Sequence, residues 1–177
     1  ARYDKAINKY YDTFNKLYSK FCPDFVLTTK VLEKYGLTPS TYTQHDCLCI
    51  GLEEVANRIS KSYDEQLSKG FEMAEVLTGL SAVVCSETAS TWHTAIYDDR
   101  DSHGNYCSDF NDALRTLHDD LEELGILDKI LDKKSQLNII AKELVKCPKS
   151  RKDAYDDFIE LVTDVNAFAD LAVDPEG

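Results

Sequence analysis

The chain lacks any apolar run approaching the ~20 residues that a membrane-spanning helix needs, so nothing in its 177 residues reads as a span. No apolar leader opens it either: it starts ARYDKAINKYY, and is expected to begin after a cleavage site. Asn-x-Ser/Thr is missing throughout, so standard N-glycosylation is not expected. No G-x-S-x-G, phosphate-binding loop, dinucleotide fingerprint or Ser-His-Asp pattern can be read. None of the cysteines forms a C-x-x-C pair, which disfavours zinc ribbons and thioredoxin-like sites. No stretch rich in Pro, Gly or Ser marks a domain linker, and the one strand-like run, LSAVVC, has flanks of helical period. These absences leave an all-α chain with no catalytic residues, no cofactor and no resident metal.

What is present is acid, cysteine and helical periodicity. The net charge of −12 is uneven. Residues 1–70 hold ten Lys/Arg against nine Asp/Glu, and residues 71–177 hold ten against twenty-three. Such an acidic second part disfavours nucleic acid and anionic membranes and suits a basic partner. Six cysteines, widely spread, suit three disulfides and a secreted protein.

Tyr3, Ile7, Tyr10, Phe14, Leu17 and Phe21 recur at steps of four and three and predict a first helix. A short helix over 25–35 stops at Gly36. A third starts near Asp46, with Leu48, Leu52, Val55, Ile59 and Tyr63 on one side, and Gly70 is expected to break or kink it. The next runs from Phe71 to about Tyr97 with Met73, Leu77, Leu80, Val84 and Trp92 inward. Ser108 is expected to cap a helix carrying Phe110, Leu114, Leu117, Leu121 and Leu124, with Gly125 past its end. A short helix over 126–131, another from Ser135 to before Pro148, and a last one opened by a Ser150/Asp153 capping box complete six to seven helices. The expectation is a single helical domain over residues 1–177.

Shifting the sequence by 58 positions places His45 on His103, Leu48 on Tyr106 and Cys49 on Cys107. Downstream, Leu52, Val55, Ala56 and Ile59 meet Phe110, Ala113, Leu114 and Leu117. Matching apolar pattern together with matching His and Cys indicates two divergent helical repeats, roughly 22–85 and 85–147. The motif reads Cys47-Leu48-Cys49 in the first copy and Asn105-Tyr106-Cys107 in the second, so Cys-Tyr-Cys explains both. Only Cys107 and Cys147 remain in copy two, which pairs the motif's second cysteine with the one downstream. The same rule gives Cys49–Cys85 in copy one and leaves Cys22–Cys47. Each loop of roughly 25 to 40 residues is worth about 3 to 4 kcal/mol in the chain-entropy model.

Paired motifs of this kind resemble the bicycle proteins, a family named for two Cys-Tyr-Cys motifs and secreted from the salivary glands of gall-forming aphids and their relatives. The resemblance implies an α-helical effector delivered into plant tissue, acting on an unknown host protein, with no established catalytic activity. An alternative expectation is a secreted carrier of small, lipid-like hydrophobic ligands, from the surplus of aromatic and aliphatic residues.

Sharper chemistries compete for the same residues. His45-Asp46-Cys47 is similar to the His-Asp of secreted phospholipases A2, but the Gly-rich calcium loop is missing upstream. His45, Cys49, His103 and Cys107 could make a Cys₂His₂ zinc site, against which an oxidising compartment competes. Asp99, Asp101, His103 and Gly104 imitate the start of an EF-hand loop, yet Phe110 stands where a bidentate Glu is needed. Ten tyrosines suggest a contact surface, although Tyr3, Tyr10, Tyr63 and Tyr155 fall on apolar stripes.

Overall fold

A computed structural model describes residues 2–41 and 43–174, with side chains from residue 12 onward except at 44 and 45. The described residues form six α-helices and no strand. The all-α expectation is met, and the helix count lies within the expected range. Contacts divide the chain into two compact units, Ala1–Asp64 and Glu65–Gly177. Neither coincides with a proposed repeat.

In the first unit, α1 (Arg2–Phe21) is helical as expected; of its expected stripe, Phe14 and Phe21 are half-buried, Leu17 is exposed, and the side chains of Tyr3, Ile7 and Tyr10 lie outside the described residues. α2 is only Thr29–Lys34, capped by Thr28, whose hydroxyl accepts from the Val31 amide at 3.3 Å. Gly36 ends it with φ +69, a conformation cheap only for glycine. Arg58 ties these elements to α3 (Gln44–Asp98). Its guanidinium donates to the Phe21 carbonyl at 3.1 Å, to Asp24 at 2.5 Å and to Glu54 at 2.7 Å. One of the orphan carbonyls at the end of α1 is thereby satisfied. The hydrogen bond from Arg58 holds the Asp24 carboxyl below its ordinary range.

α3 corrects an expectation: it runs unbroken through Gly70 for 55 residues. Gly70 is buried, and a Cβ there would lie 2.5 Å from Cζ of Phe158. This glycine is a close-packing point, not a hinge. Its side of α3 carries Leu67, Ala74, Leu77, Ser81, Val84, Thr91 and Ala95, all buried.

The rest of the second unit is α4 (Phe110–Glu123), α5 (Ile126–Glu143) and α6 (Lys152–Val173). The cap of α4 is Asp109, one residue after the expected Ser108, and its carboxylate accepts from the Asn111 amide at 2.9 Å. Gly125, φ +64, turns the chain between α4 and α5. The two short helices expected over 126–145 are one. A 3₁₀ turn, Lys149–Arg151, precedes α6 in place of the expected Ser150/Asp153 capping box, and no side chain caps α6. Phe158, Val162, Val165 and Ala169 of α6 pack with Ile130, Leu137 and Leu144 to close the core.

Candidate functional site: an apolar groove

The two motifs lie in different units. Cys47, Leu48 and Cys49 lie in the first turns of α3. Thr43 and Asp46 form a reciprocal cap there: the Thr43 amide donates to Asp46 at 2.8 Å and the Asp46 amide to the Thr43 hydroxyl at 3.2 Å. Asp46 is thus fixed as a helix-start residue. The His45 side chain lies outside the described residues. Cys47 and Leu48 edge a cavity of about 490 Å³ with Phe14, Tyr18 and Phe25.

The second motif has a different local structure. Asn105, Tyr106 and Cys107 lie in a loop before α4, where Arg100 and Tyr106 pair as an isolated antiparallel bridge. The Asp101 carboxylate sits inside this hairpin and accepts from the amides of His103 at 2.9 Å and Asn105 at 2.8 Å. Partial burial pushes the Asp101 carboxyl up, but the hydrogen bonds from Asn105 and His103 outweigh it and hold it below its usual range. His103 reaches α4, with Nε2 at 2.9 Å from Asp120, and the Ser102 hydroxyl donates to the same oxygen at 3.3 Å. These residues build a turn, and Asp101 faces its own loop's amides where an EF-hand ligand would face an ion.

No two cysteines lie at bonding distance in the structure, so the three expected bridges are not formed. Cys49 lies in the first unit and Cys85 in the second. Cys22 is fully buried beside Arg58, which holds the neighbouring Phe21 carbonyl. Only Cys107–Cys147 keeps both partners outside helices and within one unit. Burial pushes the Cys22 thiol up, and burial followed by Asp101, Asp99, Asp112 and Asp109 does the same for Cys107. Neither has the lowered pKa of a cysteine nucleophile.

Among the described residues, one group of His/Cys/Asp/Glu has ligand atoms close enough to share a cation: His118, Asp119 and Glu122, all exposed on α4. It contains no member of the zinc set considered from the sequence.

The feature best shaped for binding is one the sequence hid. Trp92 falls on the stripe expected to be core, yet it is 47% exposed. It stands with Cys85, Thr88 and Ala89 on one side of a groove of about 560 Å³ in the second unit. The other walls are Phe110, Asn111 and Leu114 from α4 and Leu171 from α6. Phe110 is 42% and Leu171 52% exposed. None of the lining residues carries a charge. The Thr88 hydroxyl is engaged, donating to the Val84 carbonyl at 2.9 Å, so it does not turn the groove polar. Large apolar side chains gathered at one open surface mark contact sites more often than isolated ones do. The missed signal is positional: Trp92 is the only tryptophan in the chain, and Phe110 opens a helix instead of sitting inside one.

Comparison with protein-family models, with curated proteins and with solved structures finds no match for this chain.

Proposed function

We propose that this is a non-enzymatic interaction protein, secreted and acting as an effector, whose task is to bind a protein of the host. The observation that carries the reading is the groove between α3, α4 and α6, with Trp92, Phe110 and Leu171 exposed at one place. Aromatic and aliphatic anchors grouped in this way supply most of the energy of a protein interface. The raised thiols of Cys22 and Cys107, and the engagement of Asp46 and Asp101 in backbone caps, support a binding role over a catalytic one. Secretion and delivery into host tissue rest on the cysteine count and on the resemblance to the bicycle effectors. The internal repeat belongs to the same reading, and here the two motifs having unlike local structure count against a close duplication.

A second reading, a carrier of small hydrophobic ligands, is favoured by one observation: about 560 Å³ is within the range of small-molecule sites, roughly 300–1,000 Å³. The exposure of Trp92, Phe110 and Leu171 argues for the first, because a carrier encloses its cargo.

Affinity capture from host tissue with purified chain tests the choice. The expected result is one saturable protein partner, competed by untagged chain. Bound lipid in native mass spectrometry with no protein partner overturns it, as does substrate turnover by the chain alone.

A further inference from the structure

We infer that the groove lined by Trp92, Phe110 and Leu171 receives a cationic amphipathic segment of a protein partner, apolar face inward and lysines or arginines outward. This rests on the interaction reading above and names the partner's chemistry.

The argument is one of charge around an apolar slot. Two of the three helices that wall the groove carry no cation for most of their length. From Gly70 to Asp99 the chain has five acidic residues and no Lys or Arg, and from Asp153 to Gly177 it has eight and none. On α6, Asp164 shares the face of Leu171, seven residues before it, and Asp174 follows the helix three residues after it. Asp174 also edges the adjoining cavity with Leu114. Asp109 caps α4 immediately before Phe110. Two cations near these elements are paired with carboxylates: Arg115 with Asp112 at 3.0 Å, and Lys134 with Asp170.

An apolar slot inside an acidic surround discriminates among occupants. A second copy brings its own −12 and is repelled. Nucleic acid, anionic lipid and ionised fatty acid are repelled for the same reason. A basic amphipathic helix matches both features, with apolar anchors for the slot and charge for the rim, and that charge also speeds encounter.

The sole tryptophan stands in the groove, so its emission reports occupancy directly. The probe is a synthetic helix of leucine and lysine without aromatic residues, compared with a leucine–glutamate counterpart and with oleate. The expected result is a saturable blue shift of Trp92 emission with the leucine–lysine peptide alone. Raising salt from about 50 to about 300 mM should weaken it several-fold. Leu171→Asp should weaken it roughly tenfold or more. Leu171 is half-exposed, so the substitution leaves the core intact, and Ile139→Asp, an equally exposed site on α5, is the control expected to bind as the parent does.

No shift with the leucine–lysine peptide, equal shifts with both peptides, a shift with oleate only, or full binding by Leu171→Asp each overturns the proposal. The two readings fail separately. A host partner captured equally by the parent and by Leu171→Asp removes the groove and keeps the interaction protein. Peptide binding without any host partner does the reverse.

Discussion

Gly70 and Ser81 lie eleven residues apart on the buried side of α3 and carry opposite expectations. At Gly70, alanine would gain about 1 kcal/mol of helix propensity. Its Cβ would meet Cζ and Cε2 of Phe158 at 2.5 and 2.7 Å. That ring is fully buried and held edge-on by Phe71, with centroids 5.3 Å apart, so it has nowhere to go. Overpacking of this kind costs about 1–3 kcal/mol, so Gly70→Ala should be net destabilising, read as a lower denaturation midpoint in urea. A neutral or stabilised variant would mean that α6 yields easily. At Ser81 the hydroxyl is fully buried and has no hydrogen-bond partner. An unmet buried polar group costs about 1–3 kcal/mol. Ser81→Ala removes it with little change of volume and should raise the midpoint in the same assay.

At the scale of elements, one carboxylate accepts from two amides of the hairpin between α3 and α4. Asp101 is held below its unfolded pKa, so ionisation favours the folded loop. Its contribution is complete above the unfolded value of about 3.9 and is lost as pH falls through the lower folded value. The amides of His103 and Asn105 should therefore keep their hydrogen-exchange protection above pH ~4 and lose it below. Asp101→Ala should abolish it at every pH. Protection unchanged down to pH ~2 would show that another group holds the turn. The neighbouring cysteines give a second test. Under mild oxidation, peptide mapping should find Cys107 joined to Cys147, both in loops of the second unit. Cys107 joined to any other cysteine would mean that these two loops do not approach each other in solution.

The elements themselves were largely legible, since spacing of three and four residues marks a helix whatever it packs on. The stripe through Leu117 and Leu121 predicted their burial correctly. Joins and caps were less so. Gly70 reads as a breaker from its propensity, and only the position of Phe158 shows that a missing side chain is what the packing needs. Ser108 and Asp109 are adjacent and both good caps, so sequence alone cannot choose between them. The groove was illegible for a related reason. Trp92 has the period of a core residue, and its exposure depends on where α4 and α6 end, which periodicity does not encode.

Charge is the property that belongs to the whole chain. Residues 1–64 hold nine Lys/Arg against eight Asp/Glu, while residues 65–177 hold eleven against twenty-four, a net +1 and −13. Self-repulsion on that scale opposes the compact state. Ion pairs of the second unit that salt would also screen, such as Arg115–Asp112 and Lys152–Asp156, are exposed. Pairs of this kind are worth about 0–1 kcal/mol each. Repulsion among thirteen unbalanced charges therefore outweighs them, and screening should stabilise. Raising sodium chloride from about 20 to about 300 mM shortens the screening length from roughly 20 Å to under 10 Å, enough to separate neighbouring helices electrically. Hydrogen exchange read segment by segment should then slow across residues 65–177 and change little across 1–64, with potassium chloride giving the same result. Faster exchange in the second unit at high salt would mean that its acidic residues are held by attractive contacts, and the acidic surround invoked for the groove would lose its physical basis.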